Sequence, residues 1–163
     1  MNRDILSKLR QIPLFEQISS NEEYLRELGE IGSFRSYAAS DAIIKEGEIG
    51  DEMFIVLTGG VEIRKRTRAG DNYTVVRLAA EQNVFFGELG LIDEDRRSAT
   101  VIASRDSSFL VIGKKDFVEF GERRPEIAFP VTLALSRIIS ARLRKTTEDM
   151  LTIFDALVNE IKG

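Results

Sequence analysis

Glu88 and Arg97 are the two side chains whose types and spacing suggest chemistry at one shared site. They flank a short acidic run, residues 93–95, within the stretch FFGELGLIDEDRRSATV. A guanidinium stays charged and presents a planar fork of donors to two oxygens of a phosphate. A carboxylate repels a phosphate but accepts a hydrogen bond from a hydroxyl. A ligand that needs both groups is a ribose phosphate, with Glu88 on the 2'-hydroxyl and Arg97 on the phosphate.

Residues 86–91, which separate two apolar runs, are predicted to form a helical turn between two strands. The first N–H groups of such a turn have no carbonyl partner and lie at the positive end of the helix dipole, so they favour an anion. Gly87 and Gly90 would let the main chain approach a ligand closely, because glycine has no Cβ. The alternative is a mutual surface salt bridge between Glu88 and Arg97, which contributes about 0 to 1 kcal/mol.

The elements that position these residues are predicted to be short strands. Between Ser33 and Gly113, about eight runs rich in Val, Ile, Phe and Thr alternate with turn segments. Such even spacing favours a closed barrel or jelly roll, since an open sheet would leave its edges unpaired. The turn positions include a tight turn at Gly59 and Gly60 and a hairpin loop at 69–72; Gly47, Gly50 and Gly59 are expected to adopt positive φ.

Helical patterns flank the strands on both sides. A short helix is predicted over 4–9, and Ser20 or Asn21 caps a second helix over 24–31. After Gly113 a short helix ends before Pro125, and a long helix runs from about Val131 to Ile161. The predicted fold is mainly β: a β-roll or jelly roll, also called a double-stranded β-helix, with N-terminal helices and a long C-terminal helix. Residues 1–130 form the roll domain, and residues 131–163 the long helix.

The long helix carries apolar residues at spacings of four and three, which predict an apolar stripe along one face. One interpretation is that the stripe lies on the chain's own roll. The other is pairing with a second subunit, because one small domain cannot cover about 45 Å of helix. The favoured prediction is a homodimer through this helix. The stripe consists of Ile139, Leu143, Thr146, Met150, Phe154, Leu157 and Ile161.

Composition excludes several function classes. The chain has 163 residues, 43% of them hydrophobic, a net charge of -4 and neither His nor Cys. It therefore lacks thiolate and imidazole nucleophiles, bases and metal ligands, so no catalytic residue is assigned. The acidic run Asp93–Glu94–Asp95 lacks the spaced oxygen ligands of a calcium loop, so no metal is assigned. Neither a secretory signal nor a membrane span is predicted, and a cytoplasmic location is expected.

The stretch 86–92 followed by 97–101 resembles the phosphate-binding cassette of cyclic-nucleotide-binding domains. This family includes catabolite activator proteins and the regulatory subunits of protein kinase A. The resemblance extends over nearly the whole chain, through blocks in the same order. They are residues 12–15, 46–48, 50–56, 58–59 and 115–117, and Pro125.

The resemblance implies a β-roll that binds a cyclic nucleotide, with the glutamate on the ribose hydroxyl and the arginine on the cyclic phosphate. Backbone N–H groups at Gly87, Leu89, Gly90 and Ser98 would contact the ligand. Two positions depart from the family pattern: Arg96 stands where many members have proline, and Ser40 replaces a glycine of a turn. The implied ligand-binding residues are Gly87, Glu88, Leu89, Gly90, Arg97, Ser98 and Ala99.

The resemblance also implies a sensor whose long helix, residues 131–163, acts as a lid on the purine and passes ligand occupancy to another protein. The ligand favoured on family frequency is cyclic AMP, with cyclic GMP as the alternative, because Ser98 is compatible with both. The other hypotheses are a scaffold that binds no nucleotide, and an enzyme, which would need a metal or a base. No DNA partner is expected, since no helix-turn-helix follows the long helix before Gly163 and its basic residues are predicted to be solvated. These are Arg137, Arg142, Arg144 and Lys145.

Overall fold

The computed structural model describes residues 3–67, 70–93 and 95–162. Eight strands lie within these ranges: β1 (Ser33–Tyr37), β2 (Ala42–Ile44), β3 (Glu52–Thr58), β4 (Gly60–Arg66), β5 (Asn72–Ala79), β6 (Phe85–Phe86), β7 (Thr100–Ala103) and β8 (Ser107–Gly113). The helices described are α1 (Arg3–Gln11), α2 (Glu22–Glu30), α3 (Leu89–Ile92), α4 (Lys114–Arg123) and α5 (Pro125–Lys162), with 3-10 helices at Pro13–Ile18 and Ala80–Gln82. The predicted eight strands and flanking helices are confirmed.

The strands form two four-stranded antiparallel sheets, in the orders β1-β8-β3-β6 and β2-β7-β4-β5. The chain therefore folds as the predicted jelly roll. β4 and β5 form a hairpin within one sheet; its connecting loop includes Ala69, which lies outside the described residues. β3 and β4 belong to different sheets, so the predicted tight turn at Gly59 is a corner between the two layers.

The turn glycines differ in what they contribute. Gly47 and Gly59 have φ of 85° and 81°, as predicted, and a Cβ on Gly59 would lie 2.1 Å from the Ser107 Oγ. The predicted positive φ at Gly50 was wrong, because its backbone does not enter the left-handed region. Ser40, which replaces the family's glycine, does enter the left-handed region, with φ of 75°. That departure strains a turn and lies outside the lining of the cavity described below.

Two apolar clusters lie on opposite faces of β3 and β8. Inside the roll, Phe54 stacks on Phe86 with ring centroids 5.1 Å apart, and Phe109 meets both rings edge-on. On the outer face, Leu110 and neighbouring side chains contact the helices. Both faces of these strands are thus buried, which is why their sequences read as continuous apolar runs.

The N-terminal helices cover the outer face of the roll. α1 and α2 match the two predicted helices, and of the two candidate caps it is Asn21 whose side chain accepts bonds from the N–H groups of Glu23 and Tyr24. The 3-10 helix Pro13–Ile18 between them was not predicted. Pro13 opens it, at a position where the missing N–H costs no hydrogen bond.

α5 begins at Pro125, six residues before the predicted start at Val131, and Pro130 lies inside it. The predicted start was wrong because Pro130 does not interrupt the helix. It removes only one hydrogen bond, the one that its N–H would have donated to the Glu126 carbonyl. The helix continues through it because burial of Ile127 on one side and Leu135 on the other holds both segments against the domain. The division of the chain at residue 130 stays a prediction, and α5 runs across it.

Beyond its first turns, α5 leaves the body of the domain. Val131 and Leu135 are buried and Ile139 is partly buried against the outer cluster, but residues 140–157 are all exposed. Leu143, Met150 and Phe154 are 67%, 61% and 60% exposed. The interpretation in which the stripe lies on the chain's own roll is therefore wrong from Leu143 onward.

Candidate functional site

A cavity of about 540 Å³ opens between the β6–α3 segment, β4, β5 and the long helix. All seven residues predicted to bind a ligand line it, namely Gly87, Glu88, Leu89, Gly90, Arg97, Ser98 and Ala99. Its volume lies within the range of about 300 to 1,000 Å³ that is usual for small-molecule sites. The structure thus brings the two ends of the stretch 85–101 to one concave surface.

Glu88 is positioned by the aromatic packing that precedes it. Phe86 is buried between Phe54 and Phe109, which fixes the end of β6. Gly87 then turns the chain with φ of 75°, a conformation that side chains rarely adopt. The turn leaves Glu88 only 5% exposed, although it lines the cavity. A buried carboxylate requires a hydrogen-bonding or charged partner, so this side chain is costly unless paired.

Arg97 lies against backbone that carries no Cβ. Its Nη1 donates to the Gly87 carbonyl at 3.1 Å. A Cβ on Gly50 would lie 2.1 Å from the Arg97 Nε, and a Cβ on Gly90 would lie 2.6 Å from the Gly50 carbonyl and 2.8 Å from the Arg97 Nη1. The sequence predicted that glycine lets the backbone approach a ligand; in the structure Gly50 and Gly90 make room for the guanidinium.

The electrostatic surroundings keep Arg97 charged. Burial lowers the pKa of Arg97 from its ordinary value, and the nearby charges of Glu52, Asp51 and Glu88 oppose that shift. A guanidinium remains protonated at neutral pH despite such a shift. Arg97 therefore provides a permanent, partly desolvated positive charge in the cavity wall.

The turn at 46–48 fixes the main chain of Arg97. Its N–H donates to the Glu48 carbonyl at 2.8 Å, and its carbonyl accepts from the Gly47 N–H at 2.9 Å. The neighbouring Arg96 also lines the cavity, but it is exposed, and its Nη1 donates to the Gly47 carbonyl at 2.7 Å. Of the two adjacent arginines, Arg97 is the one whose side chain lies inward against the glycines.

The predicted helical turn is present as α3, with Glu88 at its N-cap. The N–H of Gly90, which the resemblance assigned to the ligand, donates to the Gly87 carbonyl at 3.0 Å, and that of Leu91 donates to the Glu88 carbonyl at 3.0 Å. The turn is therefore held by its own backbone bonds, and Gly90 contributes packing space.

The long helix supplies a residue that the sequence did not assign to the site. Arg142 forms an ion pair with Glu88, through its Nη1 and the Glu88 Oε1, and its guanidinium lies 5.9 Å from the centre of the Phe85 ring. The alternative of a surface salt bridge between Glu88 and Arg97 is wrong, because Glu88 is buried and pairs with Arg142. The prediction that the basic patch is wholly solvated was wrong for Arg142, because this half-exposed side chain pairs with the buried Glu88.

The opposite wall of the cavity is mostly apolar. It comes from neighbouring strands β4 and β5, where residues two positions apart face the same side of the sheet. These residues were not predicted as site residues, and the signal that could have found most of them is this period of two. They are Ile63, Lys65, Val75, Val76 and Leu78. The site thus combines the guanidinium of Arg97, the buried carboxylate of Glu88 and an apolar surface suited to a flat ring.

The described residues contain no group of three acidic side chains that could hold a metal ion. Glu94, the middle residue of the acidic run, lies outside the described residues. None of the helices in the described part of the chain is long and apolar enough to cross a membrane.

Comparison with known sequences agrees with this geometry. The family model for the cyclic nucleotide-binding domain matches residues 34–124. The chain is 36% identical over 96 residues to the cAMP-dependent protein kinase regulatory subunit of Mycosarcoma maydis, covering 59% of this chain and 17% of that protein. It is 28% identical over 103 residues to the cyclic AMP receptor protein of Thermus thermophilus, covering 63% of this chain and 47% of that protein. The aligned region is thus less than half of either relative.

Solved structures show the same fold. A cyclic nucleotide-binding domain from Methylobacillus flagellatus superposes with a TM-score of 0.77 at 25% identity, covering 91% of this chain and 81% of that one. The Thermus thermophilus catabolite activator protein superposes with a TM-score of 0.76 at 25% identity, covering 85% and 61%. These comparisons confirm the resemblance seen in the cassette, and since the family model matches more than half of the residues, the chain belongs to the cyclic nucleotide-binding domain family.

Proposed function

We propose that this chain is a sensor that binds a cyclic nucleotide in the cavity, with cyclic AMP as the favoured ligand and cyclic GMP as the alternative. The observation that carries the proposal is that Arg97 and Glu88 line one cavity although neither pairs with the other. The cation would bind the cyclic phosphate, the carboxylate the 2'-hydroxyl, and the apolar wall the base. Gly87, Leu89, Gly90, Ser98 and Ala99 complete the proposed site.

The proposal is tested by calorimetric titration with cyclic AMP, cyclic GMP and the corresponding linear monophosphates. Binding of either cyclic nucleotide, with weaker binding of the linear compounds, supports it. A linear monophosphate carries more negative charge than the cyclic nucleotide and lacks the cyclic phosphodiester. A site that prefers the linear compound therefore selects for phosphate charge and not for the cyclic ring. If no nucleotide binds, the chain is better described as a scaffold that keeps the fold without the ligand.

Glu88→Ala is expected to weaken cyclic AMP binding about ten- to a hundredfold, since hydrogen bonds to charged groups contribute about 1.5 to 3 kcal/mol. The 2'-deoxy analogue has no hydroxyl for Glu88 and should lose much less affinity. The measurement is the ratio of the two dissociation constants in the original chain and the variant. Equal losses for both ligands would contradict the assigned role of Glu88.

We further propose that α5 pairs with α5 of a second copy of this chain. The exposed stripe beginning at Leu143 is the surface that carries this proposal, because helices of this length bury such a stripe against a partner. Met150→Glu is expected to shift the protein towards monomer in sedimentation equilibrium, because it places a charge in the paired face. Thr152→Glu, exposed beside the stripe, is the matched control and should leave the mass unchanged.

The proposed role is regulatory rather than catalytic: occupancy of the cavity changes the position of α5, and a separate effector protein reads that change. Such a response requires that the ligand bind the two arrangements of α5 with different affinities. Incubation with cyclic AMP and analysis for the linear monophosphate tests the enzymatic alternative, since hydrolysis would produce that compound.

A further inference from the structure

The charged residues in the outer part of α5 are divided by sign. Residues 137–145, the basic segment, contain four bases and no acid, whereas residues 148–160, the acidic segment, contain four acids and no base. Lys162 follows the acidic segment. The basic residues are Arg137, Arg142, Arg144 and Lys145, and the acidic residues are Glu148, Asp149, Asp155 and Glu160. The part of α5 near the roll is therefore positive, and the part beyond it is negative.

This order of charges is the less favourable one for an isolated helix. Oppositely charged residues four positions apart stabilise a helix more when the acid comes first, but at 144–148 and 145–149 the base comes first. Glu160 lies in the last turn of α5, where the negative end of the helix dipole disfavours a carboxylate. In the described part of the chain, Arg142 is the one residue of the two segments that forms an ion pair. The remaining charges are therefore available to a partner.

The apolar stripe occupies the same exposed part of α5 and allows a second copy to lie in either direction. Leu143, Met150 and Leu157 are spaced seven residues apart and are 67%, 61% and 52% exposed. In a parallel pair each of them faces its own counterpart. In an antiparallel pair centred on Met150, Leu143 of each copy faces Leu157 of the other. The stripe thus fits both directions, and the charges decide between them.

The charges favour the antiparallel direction. Paired helix axes lie about 8 to 10 Å apart, which is close to the Debye length at physiological ionic strength, so exposed charges on the two helices still interact. A parallel pair places the two basic segments side by side and the two acidic segments side by side, which is destabilising. An antiparallel pair places the basic segment of each copy beside the acidic segment of the other. It also sets the two helix dipoles in opposite directions.

We propose that two copies of this chain pair through α5 in the antiparallel direction, centred near Met150, with the basic segment of each copy against the acidic segment of the other. The inference rests on the proposed pairing of α5 and adds its direction; it does not depend on nucleotide binding. At 1.5 Å per residue, the Leu135 residues of the two copies lie about 45 Å apart along the pair, whereas a parallel pair brings them side by side. The two rolls, with their cavities, therefore lie at opposite ends of the pair.

The first test measures distances between spin labels in the dimer. The chain contains no cysteine, so Thr152→Cys or Asn159→Cys gives one label per copy. Both positions are exposed and lie about half a turn from Met150, on the side away from the stripe. In the antiparallel pair, labels at 152 are separated by about 6 Å along the axis and labels at 159 by about 27 Å. Since the distance across the pair is common to both, the label distance at 159 should exceed that at 152 by roughly 10 Å. A parallel pair would give equal distances.

The second test removes acids from the far end of α5. Asp155→Asn with Glu160→Gln lowers the net negative charge of each copy, which by itself reduces repulsion between copies. In the antiparallel pair the same change removes partners of the basic segments, so the dimer dissociation constant should rise about three- to tenfold in sedimentation equilibrium. In a parallel pair it would fall. Glu30→Gln with Glu122→Gln removes the same charge from exposed positions of α2 and α4, and this control should leave the constant unchanged or slightly lower.

The results separate the pairing of α5 from its direction. If the original chain is a monomer at all concentrations, the pairing is overturned and the direction with it. If it is a dimer with equal label distances at 152 and 159, or if Asp155→Asn with Glu160→Gln tightens the dimer, only the direction is overturned. None of these outcomes bears on the cavity, whose proposed function fails if neither cyclic nucleotide binds in the titration.

Discussion

Arg97→Ala is expected to cost about 2 to 4 kcal/mol of cyclic nucleotide binding, which is roughly a thirtyfold to thousandfold increase in the dissociation constant. The reason is that the variant leaves a phosphate desolvated in the cavity without its opposite charge. Arg97 alone among the two adjacent arginines lies against the glycines of the cavity wall and donates to the Gly87 carbonyl. Calorimetric titration with cyclic AMP measures the effect, and a thermal melt checks that the variant is folded.

Arg96→Ala is the matched control. The Arg96 side chain also lines the cavity, but it is exposed and donates to the Gly47 carbonyl. Its removal should change affinity by less than about 1 kcal/mol, as is usual for exposed charges. A larger loss from Arg96→Ala than from Arg97→Ala would show that the phosphate binds to the other arginine.

Gly50→Ala is expected to abolish most of the binding by displacing Arg97. The added Cβ would lie 2.1 Å from the Arg97 Nε and 2.7 Å from its Cζ, so the guanidinium has to leave its place. The side chain can swing outward, and for this reason the fold should tolerate the change better than the site does. We expect a loss of affinity similar to that of Arg97→Ala, measured by the same titration.

Gly47→Ala is the control that separates displacement of Arg97 from backbone strain caused by adding a Cβ to a glycine. Gly47 has φ of 85°, and a Cβ added to it would have no neighbouring atom within 4 Å, so alanine there costs about 1 to 2 kcal/mol of folding free energy through backbone strain alone. It should lower the melting temperature and leave the affinity nearly unchanged. The opposite pattern, in which Gly50→Ala keeps its affinity, would show that the position of Arg97 against Gly50 is not needed for binding.

The parts of the fold that the sequence could predict are those whose burial is local and periodic. β8 reads as a continuous apolar run because Phe109 faces the inside of the roll while Leu110 faces the helices. The meeting of Glu88 and Arg97 at one cavity followed from their spacing around a turn and from complementary chemistry. Both predictions depended on residues close together in the chain.

The parts that could not be predicted depend on packing between distant segments. The pairing of Arg142 with Glu88 is set by where α5 crosses the domain, and the sequence around Arg142 shows only a basic patch. The start of α5 was misplaced because a local rule, that proline ends or begins a helix, was outweighed by burial of Ile127 and Leu135. Likewise, nothing near Gly50 indicates that an arginine from another loop occupies the space beside it.

The length of α5 beyond the body of the domain would amplify small movements made near the cavity. Leu135 is the last fully buried residue in the described part of the helix, and Arg142 lies about 10 Å beyond it along the axis, whereas Ile161 lies about 39 Å beyond it. If the helix turns as one rod about Leu135, a displacement of about 1 Å at Arg142 moves the far end by about 4 Å. A displacement of α5 at the cavity that is no larger than a small change in hydrogen-bond length would thus become a displacement of several ångströms at Ile161, which is large enough to alter contacts with another protein.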